Sequence, residues 1–333
     1  MVARGSTFLP ASPVGDQHVI ALDLGGTKLA AGVLDREGGV IRRAQHTTDT
    51  SSEDALLAQI DRSIDELLDE QVVALGVGIP SLIDQRAGRA GASVNVPLEN
   101  VDLRDRLAER FGLPLALEND ANAAALAEHR FGAGRGAEHM VLLTLGTGIG
   151  GGLVLNGELY RGAVGAAAEL GHMVIDVDGP RCQGLCPGFG HLEALASGTA
   201  ARRLAEEVAE AQPDGELARA RASGGVVTGV LAAELASAGH GDALEVMERI
   251  GFHLGIGIAS YVNIFNPELV VIGGGFAQAG DLLLDPARRV VAERALPLAR
   301  DVVRIVPAEL GPEAGLIGSG LVGFEAFDAA PVR

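Results

Sequence analysis

Residues 18–35 read HVIALDLGGTKLAAGVLD, and residues 139–156 read HMVLLTLGTGIGGGLVLN. Aligned without gaps, both segments pass from an apolar strand through a glycine-rich turn into a second apolar strand. The matched positions include Leu22 with Leu143, Leu24 with Leu145, Gly25 with Gly146 and Leu34 with Leu155. This pattern predicts two related halves, each built on a hairpin, and chance similarity is the alternative because the identities are few.

The rest of the chain alternates predicted strands and helices, which is typical of an α/β protein. An alanine-rich helix follows Asn119-Asp120, a pair that suits a helix N-terminus. The predicted strands, apart from residues 139–156, are 18–22, 29–34, 40–47, 72–79, 115–118, 269–272 and 302–307. The predicted helices are 53–70, 103–111, 119–130 and 315–327, and the region after Leu192 is mostly helical.

The composition is that of a globular protein and excludes several classes. Of the 333 residues, 47% are apolar and 21% are charged, so a large core is possible and disorder is excluded. The formal net charge is −18 and aromatic residues make up 3%, so we expect no nucleic-acid partner. Without a signal peptide or a membrane-spanning apolar run, we expect a cytoplasmic protein with no membrane partner.

Three glycine clusters can bring backbone amides to an anion, at Gly25-Gly26, at 146–152 and at 273–275. The middle one has the G-x-G-x-x-G spacing of a dinucleotide site, but a strand follows it where a helix is required. The only lysine, Lys28, follows Thr27 and does not form a P-loop. Asp23 stands beside the first cluster, where a carboxylate suits Mg²⁺; simple hairpin turns are the alternative.

Five short motifs occur in a fixed order along the chain. They are Asp23-x-Gly25-Gly26-Thr27-Lys28, Glu118-Asn119-Asp120-Ala121-Asn122, the run from Leu145 to Gly152, Glu169-x-Gly171-His172 and the run from Glu193 to Gly198. Together they resemble the ROK family (repressors, open reading frames, kinases), and among its members most closely the kinases of glucose. The resemblance covers about residues 18–325, and five ordered motifs are specific where any single one is not.

The resemblance implies an α/β, actin-like (ribonuclease H-like) fold of two domains, with the sugar and ATP in the cleft between them. The first two glycine hairpins would be the phosphate-binding loops, in agreement with the internal repeat. Residues 18–118 and 315–333 would form the smaller domain, and 119–314 the larger domain with a zinc loop. Residues 1–17 would be a loose segment, and the protein a homodimer or a dimer of dimers.

The resemblance also implies the ligands of each substrate. Asp120 matches the catalytic base that takes the proton of the sugar hydroxyl, although Asn119 and Asp120 could simply cap the helix. Sugar hydroxyls are read by carboxylates, amides and imidazoles, and the implied ligands are Asn95, Asn119, Asp120, Glu169, His172 and Glu193. ATP with Mg²⁺ would bind Asp23, Gly25, Gly26, Thr27, Lys28, Gly146, Thr147, Gly148, Gly274 and Gly275.

His172, Cys182, Cys186 and His191 form a compact set that suits a structural zinc ion. The family's zinc loop has one His and three Cys, whereas here His191 stands where the last Cys is expected. Because histidine also binds zinc, we expect the site to be retained; a metal-free loop with reduced thiols is the alternative. If zinc takes one nitrogen of His172, the other can face the sugar.

The sequence therefore predicts an ATP-dependent kinase that converts glucose to glucose 6-phosphate, with Asp120 as general base. Ser81 and Ala168 depart from the family pattern near the sugar. N-acetylmannosamine, N-acetylglucosamine and fructose therefore stay open as substrates, and polyphosphate is a less favoured donor. A non-catalytic sugar-sensing protein is the other alternative, although Asp23 lies so near the chain start that we expect no DNA-binding domain before it.

Overall fold

The computed structural model describes residues 17–331. Apart from Gln17, the segment expected to be loose therefore lies outside the described residues. Within this range the chain forms two five-stranded sheets, a two-stranded sheet and eleven α-helices. None of the helices in the described range is both long and apolar enough to cross a bilayer.

The strands and helices follow in chain order. The strands are β1 (His18–Leu24), β2 (Lys28–Leu34), β3 (Val40–Thr47), β4 (Val72–Ile79), β5 (Ile83–Asp84), β6 (Arg89–Ala90), β7 (Leu115–Asn119), β8 (Met140–Leu145), β9 (Ile149–Leu155), β10 (Glu158–Leu159), β11 (Leu269–Gly273) and β12 (Arg304–Pro307). The helices are α1 (Glu53–Leu67), α2 (Leu103–Phe111), α3 (Asp120–Phe131), α4 (Leu192–Ala196), α5 (Gly198–Ala211), α6 (Glu216–Ala222), α7 (Gly229–Ser237), α8 (Gly241–Phe265), α9 (Asp281–Arg294), α10 (Pro297–Arg300) and α11 (Ala314–Ala329). Single 3-10 turns lie at Leu170–His172, Gly275–Ala279 and Gly311–Glu313.

The two large sheets have the same topology. The strand order is β3-β2-β1-β4-β7 in the first sheet and β10-β9-β8-β11-β12 in the second. In each sheet the first three strands pair antiparallel and the last two add in parallel. This repeated topology agrees with the prediction of two related halves.

The pairing within the hairpins corrects the gapless alignment by one residue. Leu24 pairs with Leu29, whereas Leu145 pairs with Ile149, so the first turn contains one residue more. Leu34 therefore corresponds to Val154 and not to Leu155. The alignment could not detect the shift because both returning strands are buried on both faces, and their apolar residues do not alternate with polar ones.

Two helices are exchanged between the halves. Helix α3 follows the first sheet but packs mainly on β8 and β9 of the second, while α11 follows the second sheet and covers β1, β4 and β7 of the first. The two helices also cross each other closely, because a Cβ at Gly318 would overlap the carbonyl of Ala123. The exchange gives the two halves one shared hydrophobic core, which contains residues of both sheets and both helices.

Several predicted elements differ from the structure by one to three residues at an end, and two of these differences have a clear local cause. Helix α1 ends at Leu67 and not at Glu70. The Arg42 guanidinium donates to the Leu67 carbonyl at 2.8 Å, and the backbone of Leu68 is already extended. Strand β12 begins at Arg304 because the amides of Val302 and Val303 still bond to Ala299 in the turn after α10.

Candidate active site

A cavity of about 710 Å³ opens between the two sheets. Its walls come from the ends of β4 and β7, the second glycine turn, and the loop before α4. It brings together all six predicted sugar ligands, which are Asn95, Asn119, Asp120, Glu169, His172 and Glu193. Gly146, Thr147, Gly148 and Gly274 of the predicted nucleotide site line the same cavity.

The remaining predicted nucleotide residues lie outside this lining. The first glycine turn adjoins it, because a Cβ at Gly26 would come within 2.9 Å of the Asn95 carbonyl oxygen. The Asp23 carboxylate lies against Gly315 at the start of α11. Asp23, Gly25, Gly26, Thr27, Lys28 and Gly275 are therefore near the cavity but not part of its wall.

Both glycine turns are held from the side by a threonine. The Thr48 hydroxyl donates to the Gly25 carbonyl at 2.6 Å, and the Thr199 hydroxyl donates to the Thr147 carbonyl at 2.8 Å. Among residues 17–331, the amides of Gly26, Thr27, Thr147 and Gly148 have no hydrogen-bond partner. Fixed turns with unpaired amides are able to bind phosphate oxygens.

Asp120 opens α3, and Asn119 caps it by accepting from the amides of Ala121 and Asn122. Asn119 therefore both caps the helix and lines the cavity, so the two alternatives for this residue do not exclude each other. Burial, with the negative charges of Asp23 and then Glu169, raises the pKa of Asp120 to about 7, although the Ala121 amide opposes the shift. A carboxylate with a pKa near neutrality suits general base catalysis.

Glu118 and Arg161 form an ion pair next to Asp120 that the sequence does not predict. The Glu118 side chain is 0% exposed, and its Oε2 accepts from Arg161 Nε at 2.5 Å. Glu118 was visible in the sequence only as part of the second motif. Nothing in the sequence pairs it with Arg161, because the two residues meet only through the tertiary fold.

A buried tyrosine holds the turn that carries Glu169 and His172. Tyr261 of α8 is 1% exposed, and its hydroxyl donates to the Leu170 carbonyl at 2.5 Å. The preceding residue, Ala168, has φ of 64°, in the left-handed region that favours glycine. Ala168, which departs from the family pattern, therefore adopts a backbone conformation for which glycine is better suited.

Glu193 links the second glycine turn to the cysteine loop. Its Oε2 accepts from the Ile149 amide at 2.9 Å, and its Oε1 lies 3.6 Å from Cys182 Sγ. A Cβ at Gly148 would overlap this carboxylate. Glu193 therefore connects the predicted phosphate, sugar and metal sites.

The predicted metal ligands lie together, with all four ligand atoms within 4.8 Å of one another. His172 Nδ1 lies 3.2 Å from His191 Nδ1 and 3.6 Å from Cys182 Sγ, and Cys186 Sγ lies 3.5 Å from His191 Nδ1. Tetrahedral zinc has bonds of about 2.3 Å to sulfur and 2.0–2.1 Å to nitrogen, which gives N···N edges of about 3.3 Å and S···N edges of about 3.6 Å. The residues fit such an ion.

Two sheets of one topology around a central cleft, with their last helices exchanged, define the actin-like class of two-domain α/β proteins. The ROK family model matches residues 19–322, and the chain belongs to this family.

Relatives of more than one kind match the chain. The glucokinase of Thermotoga maritima is 38% identical over 91% of this chain and 96% of its own length. The xylose repressor of Bacillus spizizenii is 28% identical over 93% of this chain and 78% of its own length. The crystal structure of a ROK family glucokinase from Streptomyces griseus with glucose and AMPPNP is 33% identical, with a TM-score of 0.80 over 92% of this chain and 99% of that one.

Proposed function

We propose that this protein is a hexose kinase that transfers the terminal phosphoryl group of ATP to the 6-hydroxyl of glucose. The observation that carries the proposal is the Asp120 carboxylate, which faces a cavity shared by the sugar candidates and a glycine turn with unpaired amides. Glucokinase relatives at 33–38% identity support a hexose kinase, and glucose is the finer part of the proposal.

In the proposed reaction, Asp120 accepts the proton of the attacking hydroxyl. Asn95, Asn119, Glu169, His172 and Glu193 hold the sugar by hydrogen bonds, and the glycine turns hold the phosphates. Asp23 and Lys28 lie at the first turn, where Asp23 would bind hydrated Mg²⁺ and Lys28 a phosphate oxygen. The rate enhancement would come mainly from the orientation of the two substrates and from preorganised charges around the transferred phosphoryl group.

Zinc is the proposed occupant of the cluster formed by His172, Cys182, Cys186 and His191. Burial raises the pKa of the Cys182 thiol, and a bound zinc ion would stabilise its thiolate form. The His172 Nδ1 faces the cluster, while its Nε2 lies 3.9 Å from Glu169 Oε2. A zinc ion would thereby fix the orientation of a sugar ligand.

A sugar-sensing regulator is the second candidate, because ROK relatives include repressors. Such a protein needs a sugar site but no base, and it would bind glucose without consuming ATP. The raised pKa of the Asp120 carboxyl within the cavity favours the kinase.

The test is ADP release with MgATP across glucose, fructose, N-acetylglucosamine and N-acetylmannosamine. We expect glucose to give the highest kcat/KM. Asp120→Asn should bind glucose but lower kcat by roughly 10²–10⁴-fold. Asp54→Asn, which makes the same change in the first turn of α1, is the control. The kinase proposal fails if no sugar yields ADP above the background rate.

A further inference from the structure

Arg161 lies in the segment between β10 and Glu169, and its guanidinium bridges two carboxylates from other elements. Its Nε donates to Glu118 at the end of β7, and its Nη2 donates to Glu325 of α11 at 2.7 Å. The same segment also contacts the first half of the molecule, where the Gln85 amide donates to the Val164 carbonyl at 2.8 Å. Arg161 therefore ties the larger domain to both elements that flank the start of α3.

Glu118 in turn holds the residues around Asp120. Its Oε1 accepts from the Asn119 amide at 3.0 Å and from the Asn122 side-chain amide at 3.1 Å. One carboxylate thus bonds to the residue before Asp120 and to the first turn of α3. A fully buried carboxylate is stable in its charged form only with a partner, and Arg161 supplies the opposite charge.

We propose that Arg161 is a positioning residue for phosphoryl transfer, which holds the Asp120 carboxylate in its reactive place through Glu118 and Asn119. The proposal rests on the kinase activity proposed above. Arg161 does not line the cavity, so its effect on turnover passes through the α3 N-terminus and not through contact with the sugar. A misplacement of about 1 Å in a catalytic group costs on the order of 10²-fold in rate.

Three variants separate positioning from simple stabilisation. Arg161→Met leaves the Glu118 carboxylate without its positively charged partner. Arg161→Lys keeps the charge but cannot form the same two hydrogen bonds to Glu118 and Glu325, and the double variant Glu118→Gln with Arg161→Met removes both charges. In the double variant, the side-chain carbonyl oxygen introduced by Glu118→Gln can still accept from the Asn119 amide. For each variant, kcat, the KM values, the glucose Kd by calorimetry and the urea unfolding midpoint are measured.

We expect Arg161→Met to lower kcat by about 10–100-fold while the glucose Kd stays within about threefold of the parent. Arg161→Lys should recover part of the loss, and the double variant should exceed Arg161→Met in kcat. Arg36→Met is the matched control, because Arg36 pairs with Asp328 of the same helix α11 at the surface. It should leave kcat within about twofold of the parent.

Several outcomes overturn the proposal. An Arg161→Met protein that unfolds more easily but keeps the parental kcat would make the ion pair merely structural. A double variant no faster than Arg161→Met would show that Arg161 does not act through Glu118. If Arg161→Met does not fold, the test rests on Arg161→Lys. We expect its kcat to be at least about threefold below that of the parent, and a kcat equal to that of the parent would overturn the proposed role. An inactive parent would overturn the kinase proposal itself, whereas an active parent with unaffected variants would overturn only this one.

Discussion

Asp120 combines two properties that pull against each other. It lies at the N-terminus of α3, where the helix dipole favours a negative charge. Burial and the charge of Asp23 disfavour that charge more strongly, so the pKa of the carboxyl rises to about 7. The balance gives a carboxylate basic enough to accept a hydroxyl proton and still largely ionised above neutrality.

The raised pKa predicts the pH dependence of the reaction. Below pH 7 the carboxyl of Asp120 is protonated and cannot act as a base, so kcat/KM should fall about tenfold per pH unit. Above pH 7 it should level off. A rate profile from pH 5 to pH 9 at constant ionic strength measures this, and a flat profile would remove Asp120 from the role.

The same pKa has a consequence for stability. Because the folded pKa of Asp120 lies above its unfolded value near 3.8, its contribution is most favourable below that value and is lost as the pH rises through about 7. Asp120→Asn should therefore raise the free energy of unfolding at pH 8 and not at pH 4. Urea unfolding at both values is the companion measurement to the rate profile.

At the scale of elements, the loop between the 3-10 turn at Leu170–His172 and helix α4 joins the proposed metal and sugar sites. It is pinned by bridges between Val174 and His191 and between Arg181 and Phe189. Helix α4 begins directly after His191 and carries Glu193. Removal of one metal ligand should therefore displace the Glu193 side chain before it destabilises the fold as a whole.

We therefore expect Cys186→Ser to lose zinc and to raise the KM for sugar more than the KM for ATP. Elemental analysis of protein purified without chelators, followed by steady-state kinetics, checks both parts. Arg181→Ser, at an exposed position of the same loop, is the control and should keep the metal. Full activity in the Cys186 variant would leave the metal without a role in sugar binding.

Local patterns were sufficient to predict most of the strands, α2 and the Asn119 cap, because apolar periodicity and capping depend on neighbouring residues. The cysteine and histidine cluster was also predictable, since its members lie close in sequence. The sequence could not reveal the Glu118–Arg161 pair or the bond from Glu193 to the Ile149 amide, because tertiary packing alone brings these residues together. The domain boundaries, the homodimer and the cytoplasmic location stay predictions.

At the scale of the whole molecule, a buried carboxylate of α3 also bonds to the residues that precede α11. Glu128 near the end of α3 is 0% exposed and accepts from the Leu310 amide at 2.7 Å and the Glu309 amide at 3.1 Å, just before α11. Gly184 of the cysteine loop lies against Val94 of the first half, and both residues line the cavity. A rotation of one half relative to the other would change this contact.

We expect sugar to close the cleft, because Asn95 lies on one half and Glu169 and Glu193 on the other. Closure would exclude water and limit wasteful hydrolysis of ATP. Small-angle scattering should give a smaller radius of gyration with glucose than without it, and a sugar that does not bind serves as the control. An unchanged profile with bound glucose would contradict a closing cleft.

The helix exchange also constrains the order in which the chain can become complete during synthesis. The first sheet leaves the ribosome early, but one of its faces is covered by α11, which is made only after the entire second half. At about 5–20 residues per second, that apolar face waits for some tens of seconds in a living cell. We therefore expect the nascent first half to expose this apolar face, and so to need protection from aggregation, until α11 has been made.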